Sequence, residues 1–314
     1  MASTTTRLES QKQTQTVSLR GYLLVLLSTL LMSTTGVLIK FLLVDFNMEP
    51  LALAFLRVLI VASALGLILL LFKRSFFKIK SRHLIYFILM GVLGVGLHQL
   101  LWVTSVQLNG AAVATVLVYI QPTLVAFVSV RFLGETLDRN KIIALVLTLL
   151  GMILVAQVYN VRTLNVNGLG ILVGLGTGFT WAAYALFGRY TSLRYPAWSS
   201  LFYAFFFGML FLLPLQLLVH NTFSLGTQWA GWGILFFLSL GPTLGGFGLY
   251  TIGLSQVPAS VVTLLGTLEP VFSIIMAYFL FGEVLNVPQL LGAGLILLSV
   301  ILLRPRTATE TFDS

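Results

Sequence analysis

The sequence predicts an all-α, polytopic membrane protein, and composition and the length of the apolar runs both point to it. Of the 314 residues, 58% are hydrophobic and 9% are charged, whereas roughly a quarter of the residues in a soluble domain are charged. Apolar runs of about 20 residues recur from Gly21 to Leu303, and each is long enough to cross a ~30 Å hydrocarbon core. A membrane β-barrel would show alternating segments of about ten residues instead.

Polar breaks divide the chain into ten predicted spans. The break between the third and fourth spans rests on Asn109-Gly110 alone, and Pro258, which suits the start of a helix, marks the break before the ninth. The first run is too long for the apolar core of a signal peptide, so we expect it to be retained. The ten spans are about 21–44, 50–72, 84–107, 110–132, 138–158, 168–190, 196–219, 229–255, 258–281 and 286–303.

The positions of the charges predict the orientation of the spans. The net charge of +9 would suit a nucleic-acid partner, but the basic residues lie beside the spans. With the N-terminus in the cytoplasm, nearly all of the 18 Lys and Arg residues flank the inner ends, and the outer loops hold only Arg162. This positive-inside bias predicts cytoplasmic termini and supports ten spans in the cell (inner) membrane. Residues 1–20 and 304–314 are predicted to be flexible cytoplasmic ends.

The chain repeats itself at a shift of 148 residues. Residues 110–137 fall on residues 258–285 without a gap, and eight of the 28 positions are identical, including Pro122 with Pro270. Each half holds five spans, and five is odd, so the second half enters the membrane upside down. Inverted repeats of this kind occur in many secondary transporters, whose substrate site lies near the midplane between the repeats. The predicted repeats are residues 21–158 and 168–303.

The repeated segments resemble a known family. The paired stretches QPTLVAFVSVRFLGETL and EPVFSIIMAYFLFGEVLNVPQLLGAGLILLSVILL, in a chain of ten spans and two halves, are similar to the EamA type of the drug/metabolite transporter (DMT) superfamily. The resemblance covers about Gly21 to Leu303. It implies a ten-helix bundle with a central cavity and, commonly, export of amino acids or other small metabolites. Gly134-Glu135 and Gly282-Glu283 resemble the helix-end signature of the family and are interpreted as turn and interface elements.

Two polar side chains are predicted at the bilayer midplane. Glu269 is central in its span, and Gln121 is central in the equivalent span of the first half. At ~1.5 Å per residue, each lies about 18 Å from either end of its helix. An ionised side chain at that depth costs at least ~2.5 kcal/mol, which by default marks a cavity or a transport pathway. The alternative is a protonated Glu269 that is hydrogen-bonded inside the bundle.

Each of these polar residues precedes a proline. Pro270 cannot donate a hydrogen bond to the carbonyl of Gly266, and Pro122 cannot donate to that of Val118. A free carbonyl at midplane depth is tolerated where protein or a water-filled cavity satisfies it. We therefore predict hinges at Pro122 and Pro270, with a purely structural kink as the alternative.

Aromatic residues and a histidine complete the candidate site. His98 and Trp102 are four residues apart and share a helical face, as do Trp181 and Tyr184, three apart. Such groups suit an amphipathic or aromatic ligand, although packing alone would also explain the aromatic residues. The predicted substrate-binding residues are Glu269, Gln121, His98, Trp102, Tyr119, Trp181, Tyr184 and Tyr250.

The other basic residues within spans have simpler interpretations. Lys40 and Arg189 lie near the ends of matching spans, where their side chains are expected to snorkel to the interface. Arg57 is expected to reach outward toward Asp45 or Glu49, and an internal ion pair is the alternative.

These features predict a secondary transporter that works by alternating access. No P-loop motif is present, so direct ATP drive is not expected. A carboxyl group in an apolar cavity is favoured in its neutral form, and wetting of the cavity reverses this, so Glu269 is the candidate for proton coupling. A channel or a facilitative uniporter stays open as the alternative. An enzyme is not expected, because one deep Glu and one deep His fall in different halves. The expected partners are a small-molecule substrate, membrane lipid and protons. No cofactor or metal site is expected in a chain without cysteine.

Overall fold

The structure is a computed structural model in which residues 18–158, 167–219, 225–226, 228–281 and 286–303 are described. Arg162, Gly282-Glu283 and the tail after Leu303 lie outside the described residues, and so do the first 17 residues of the predicted N-terminal segment. The first helix begins at Leu19, which is inside the predicted N-terminal segment of residues 1–20.

All regular elements in the described part of the chain are helical. The first half contains α1 (Leu19–Ser33), α2 (Thr35–Lys40), α3 (Pro50–Phe72), α4 (Leu84–Gly91), α5 (His98–Val118), α6 (Gln121–Phe132) and α7 (Arg139–Val155). The second half contains α8 (Gly168–Ser192), α9 (Ala197–Leu218), α10 (Trp229–Leu238), α11 (Gly246–Gln256), α12 (Ala259–Gly266), α13 (Glu269–Phe281) and α14 (Val287–Ile301).

Eight helical stretches among the described residues are long and apolar enough to cross a membrane. The protein is therefore a multi-pass integral membrane protein. The predicted fifth and tenth spans correspond to α7, of 17 residues, and α14, of 15 residues. At 1.5 Å per residue they are about 25 Å and 22 Å long, which is less than the ~30 Å hydrocarbon core. These two spans, and hence the count of ten, stay predictions.

The weakly marked break at Asn109-Gly110 lies inside α5. Gly174 packs against both Ser105 and Leu117, which a straight helix would separate by about 18 Å. The chain therefore reverses direction between Ser105 and Leu117, within the residue range of α5. The membrane-spanning stretches on either side are Ser81–Val106 and Val113–Phe132. The third and fourth spans are thus separate, as the sequence predicts.

Helix irregularities recur in the two halves at the same spacing as the sequence repeat. A π-helical turn covers Val92–Leu97, and another covers Ser239–Gly245, which begins one residue before the matching position. The helix breaks immediately before Gln121 and again immediately before Glu269, 148 residues later. Each proline thus stands in the first turn of a new helix, where its missing N–H costs nothing. The prolines mark breaks between half-helices and do not kink a continuous helix.

The helices of the two halves pack crosswise. α1 of the first half packs on α11 of the second, and α8 of the second half packs on α5 of the first. Glycine permits both contacts: Gly21 lies against Gln256 and Val257, and Gly170 lies against Leu108 and Asn109. In addition, α3 packs on α9, and α7 packs on α14. Small residues let membrane helices approach this closely.

Glu135 makes one of the polar contacts between the halves. Gly134, with φ of 68°, turns the chain after α6 so that Glu135 reaches the start of α12. The Glu135 carboxylate accepts hydrogen bonds from the backbone N–H of Ala259 at 2.6 Å, from the N–H of Ser260 at 3.2 Å and from the Ser260 hydroxyl. These are N–H groups that the first turn of a helix leaves free.

Arg189 belongs to the same region, and its expected snorkelling is wrong. Its side chain is 6% exposed and donates from Nη1 to the Leu254 carbonyl oxygen. It lies close enough to Glu135 for the two charges to interact. The guanidinium finds its partners inside the helix bundle because the end of α11 presents a carbonyl to it.

Candidate functional site

A cavity of about 600 Å³ lies among helices of both halves. The first half contributes residues from α1, α2, α3, α5 and α6, and the second half contributes residues from α8, α11, α12 and α13. The polar and aromatic residues that line the cavity are Thr29, Thr35, Arg57, His98, Gln99, Trp102, Thr115, Tyr119, Gln121, Trp181, Phe247, Tyr250, Thr263, Glu269 and Ser273.

The two helix breaks bring Gln121 and Glu269 to the cavity wall. Gln121 is 2% exposed and Tyr250 is 3% exposed. Their polar ends are neighbours, yet neither the Gln121 Nε2 nor the Tyr250 hydroxyl has a hydrogen-bond partner of good geometry within the described residues. Unpartnered buried polar groups are costly. Here they line a cavity, so a solute or water is able to satisfy them.

Glu269 stands in the first turn of α13 with polar neighbours from three other segments. The Tyr119 hydroxyl lies beside its carboxyl group, and Arg57 of α3 is close enough for the charges to interact. One turn further along α13, the Ser273 hydroxyl donates to the Ser33 carbonyl oxygen at 3.2 Å, which ties α13 to the end of α1. The carboxyl group also lies at the N-terminus of a helix, where a negative charge is stabilised.

Stacked rings form the opposite wall of the cavity. Trp181 is stacked on His98 at 5.0 Å between ring centroids and on Tyr250 at 5.8 Å. The edge of Phe247 meets Trp181 at 5.3 Å. The His98 Nδ1 lies 3.3 Å from the Thr180 hydroxyl. This wall offers flat apolar faces to a ligand and one polar edge.

The structure brings together all of the predicted substrate-binding residues except Tyr184. Tyr184 lies behind the wall: it is fully buried, stacks on Trp181 at 5.2 Å, and shares a 2.9 Å hydrogen bond with the Thr251 hydroxyl. Its place in a cavity was inferred from its spacing to Trp181, but three residues on a helix subtend about 60°, enough to turn it from the lumen. Of the prolines, Pro270 lines the cavity, whereas Pro122 is buried outside the lining.

Arg57 lines the cavity, although it was not among the predicted substrate-binding residues. It does not reach outward to Asp45 or Glu49. It is 7% exposed, lines the cavity and donates from Nε to the Thr243 hydroxyl at 2.7 Å. The sequence signal for this role was the position of an arginine ~10 Å inside a span. The alternative prediction, a partner inside the bundle, describes Arg57 better than the expected reach toward Asp45 or Glu49.

The arrangement suits binding of a small charged solute. It combines one guanidinium, one carboxyl group, an unpartnered amide and hydroxyl, and an aromatic wall, which are the ingredients of a small-molecule pocket. Groups of three or more His, Cys, Asp or Glu side chains that could hold a metal ion are absent from the described residues.

The fold and the cavity define a multi-pass membrane transporter. The EamA-like transporter family matches residues 19–157 and again residues 168–304, and the chain belongs to this family. It is 28% identical to the uncharacterized inner membrane transporter YicL of Salmonella typhimurium, over 90% of this chain and 95% of the relative. It is 27% identical to the uncharacterized transporter YwfM of Bacillus subtilis, over 90% and 92%.

A further relative is also described as a transporter, and a solved structure shares the fold. An uncharacterized transporter of Archaeoglobus fulgidus is 29% identical over 64% of this chain and 70% of the relative. One crystal structure of a protein matches with a TM-score of 0.75 and covers 90% of this chain and 96% of its own at 17% identity. At that identity the match shows the fold alone.

Proposed function

We propose that the protein is a secondary transporter that moves small metabolites, such as amino acids or amphipathic compounds, out of the cell by alternating access. Membrane transport of small solutes follows from the family. The observation that carries the finer proposal is the cavity, because it lies between the two halves with Gln121 and Glu269 at equivalent helix breaks. Export is the direction that the family resemblance implies.

The packing supports rocking of two inverted five-helix repeats around this cavity. α1 packs on α11 of the other half, and α8 packs on α5. When one half moves, the cavity-lining helices that pack on it therefore move as well. The helix breaks before Gln121 and Glu269 give each half a flexible point beside the solute. We propose that Pro122 and Pro270 maintain these breaks and act as hinges.

Proton coupling is assigned to Glu269. It lines the cavity together with Arg57, whose charge acts on it. A carboxyl group that meets water from one side of the membrane and then from the other is able to carry a proton across, because its charge is stabilised only when the cavity is wet.

The test is uptake and counterflow in proteoliposomes with a panel of radiolabelled amino acids and aromatic carboxylates, with and without a pH gradient. The wild-type chain is expected to show saturable counterflow and pH-driven accumulation. Glu269→Gln is expected to keep counterflow and to lose pH-driven accumulation, since the amide cannot exchange a proton.

Glu49→Gln is the matched control, because Glu49 is an exposed acid outside the cavity. It is expected to behave as wild type. Normal pH-driven accumulation by Glu269→Gln would exclude coupling through this residue. Saturable counterflow without accumulation at any pH gradient, in the wild-type chain and in every variant, would indicate a facilitative uniporter. Single-channel currents without saturable counterflow would indicate a channel.

A further inference from the structure

Arg57 is held in place by an irregular segment of the opposite half. Its Nε donates to the Thr243 hydroxyl at 2.7 Å, and that hydroxyl donates in turn to the Leu238 carbonyl oxygen at 2.8 Å. Thr243 stands in the π-helical turn Ser239–Gly245, and the carbonyl belongs to Leu238, the last residue of α10, immediately before that turn. Because the single hydroxyl hydrogen is committed to Leu238, the oxygen is available to Arg57 as an acceptor and fixes the guanidinium.

The guanidinium has capacity left for a ligand. It carries five N–H donors in a planar fork, and among the described residues Thr243 is its one hydrogen-bond acceptor. The side chain lines the cavity while only 7% exposed. A planar fork of this kind matches a carboxylate, which it binds with two parallel hydrogen bonds. A buried guanidinium that keeps N–H donors for a ligand in the cavity forms a preorganised binding site for an anion.

The rest of the cavity suits the body of the same ligand. Gln121 and Tyr250 line the cavity with their polar ends side by side, and within the described residues neither the Gln121 Nε2 nor the Tyr250 hydroxyl has a hydrogen-bond partner of good geometry. Both groups are hydrogen-bond donors. The aromatic part of the lining, which includes Trp102, Trp181 and Phe247, suits an apolar or aromatic group. These features favour an amphipathic organic anion or zwitterion over a purely cationic solute, which Arg57 would repel.

Glu269 faces Arg57 from α13, and charge balance couples the two. The other ionisable side chains that face Glu269 or Arg57 are Tyr119, Tyr250 and His98. When the cavity holds no solute, ionised Glu269 balances the charge of Arg57. When a solute carboxylate occupies Arg57, ionised Glu269 is a second negative charge against one positive charge in a poorly solvated space. A proton from solution that binds Glu269 removes the excess charge.

We propose that the transported solutes carry a carboxylate that binds the Arg57 guanidinium, and that Glu269 takes up one proton from solution when they bind. This rests on the proposed function, of which it names the substrate class. Arg57 is the specificity-determining residue, Thr243 positions it, and Glu269 exchanges the proton. The positive charge of Arg57 is balanced in both states, by Glu269 before binding and by the solute afterwards.

Calorimetric titration of the purified full-length chain in detergent tests the proposal without transport. The probes are 3-phenylpropionate, 3-phenylpropanol and 3-phenylpropylamine, which share a ring and differ in charge. Titrations at alkaline pH in buffers of different ionisation enthalpy give the number of protons taken up. We expect the wild-type chain to bind the anion at least ~10-fold more tightly than the alcohol, with uptake of about one proton per anion and none per alcohol.

The variants separate the two parts of the proposal. Arg57→Met is expected to lose the preference for the anion. Thr243→Val, which leaves the guanidinium in place but removes its anchor, is expected to weaken that preference and guards against misfolding of the first variant. Glu269→Gln is expected to keep the preference and to take up no proton.

Four results would overturn the proposal: no binding of the anion, tightest binding of the amine, an anion preference that survives in both Arg57→Met and Thr243→Val, or proton uptake that survives in Glu269→Gln. Failure of transport is distinguishable from these results. A chain that binds the anion with proton uptake but shows no counterflow in liposomes contradicts the transport proposal alone. A chain that transports solutes without binding the anion contradicts this inference alone.

Discussion

Trp181 holds the aromatic wall of the cavity together. It contacts the rings of His98, Tyr184, Phe247 and Tyr250, and such pairs contribute about 0.5–1.5 kcal/mol each beyond the burial of area. The tryptophan therefore orders its neighbours as well as presenting a face to the solute. The role of Trp181 depends on its position among these rings. By contrast, Trp229 of the same chain is 84% exposed.

Replacement of Trp181 by Ala is expected to raise the KM for counterflow about tenfold, because the loss of one ring contact with the solute, worth up to ~1.5 kcal/mol, weakens solute binding by about that factor. Trp181→Phe keeps a ring and is expected to fall in between. Trp229→Ala is the control and is expected to match wild type. Equal KM values for Trp181→Ala and Trp229→Ala would contradict a role of this wall in binding.

Among the elements, α12 depends on a residue from the other half for its N-terminal cap. Pro258 precedes the helix and supplies no side-chain hydrogen bond. Glu135 supplies it across the interface instead. Sequence reasoning assigned Glu135 to a turn or an interface, but the partner was out of reach, because Ser260 is more than a hundred residues away in the chain.

Glu135→Ala is expected to cost about 1.5–3 kcal/mol of stability, the range for hydrogen bonds to a charged group, and to lower the apparent Tm of the purified protein in detergent. Asp45→Asn, at an exposed acid, is the control and is expected to leave the Tm unchanged. If the Tm of Glu135→Ala equals that of the control, the cap does not stabilise the contact between α6 and α12.

The packing of α7 on α14 depends on a glycine contact. A Cβ atom at Gly292 would lie 2.6 Å from the Gly151 carbonyl oxygen and 2.8 Å from the Val155 nitrogen. Backbone atoms cannot move aside as a flexible side chain does, so the helices would have to separate. Gly294, two residues further on, has no heavy atom within 4 Å of the same position.

Gly292→Ala is therefore expected to destabilise the protein by about 1–3 kcal/mol, as over-packing does, whereas Gly294→Ala is expected to be neutral or slightly stabilising through helix propensity. Thermal unfolding of both variants in detergent compares them directly. An unchanged Tm for Gly292→Ala would show that the two helices separate without cost.

At the scale of the whole molecule, the crosswise packing of the halves is the dominant feature. α1 of the first half lies on α11 of the second, and α8 of the second half lies on α5 of the first. The cavity is therefore a property of the complete chain. We expect separated halves to lack it.

The proposed orientation is tested by labelling introduced cysteines, since the chain has none of its own. Ser75 and Gln228 are both exposed and lie at opposite predicted faces. In intact cells a membrane-impermeant maleimide is expected to label Gln228→Cys and to label Ser75→Cys only after permeabilisation. The reverse pattern would invert the orientation. Labelling of both in intact cells would contradict the predicted number of spans between them.

The sequence by itself determined the membrane-embedded helical class and the repeat, and it predicted the depth of Glu269 and Gln121. Hydropathy, periodicity and charge placement are local properties, so they can be read along one chain. The family follows from the same repeated segments. The two spans whose helices are shorter than the membrane core show the limit of hydropathy, since an apolar run of sufficient length does not fold into a helix of equal length.

The tertiary structure decided which side chains meet. In the structure, Tyr184 lies away from the cavity and Arg57 lines it. Arg189 is buried, and Glu135 binds the start of α12. Each of these outcomes depends on a contact between residues far apart in the chain: Arg57 with Thr243, Arg189 with Leu254, and Glu135 with Ser260. A charged side chain within a membrane must find its counterpart in space, and the crosswise packing of the helices determines which counterpart is near.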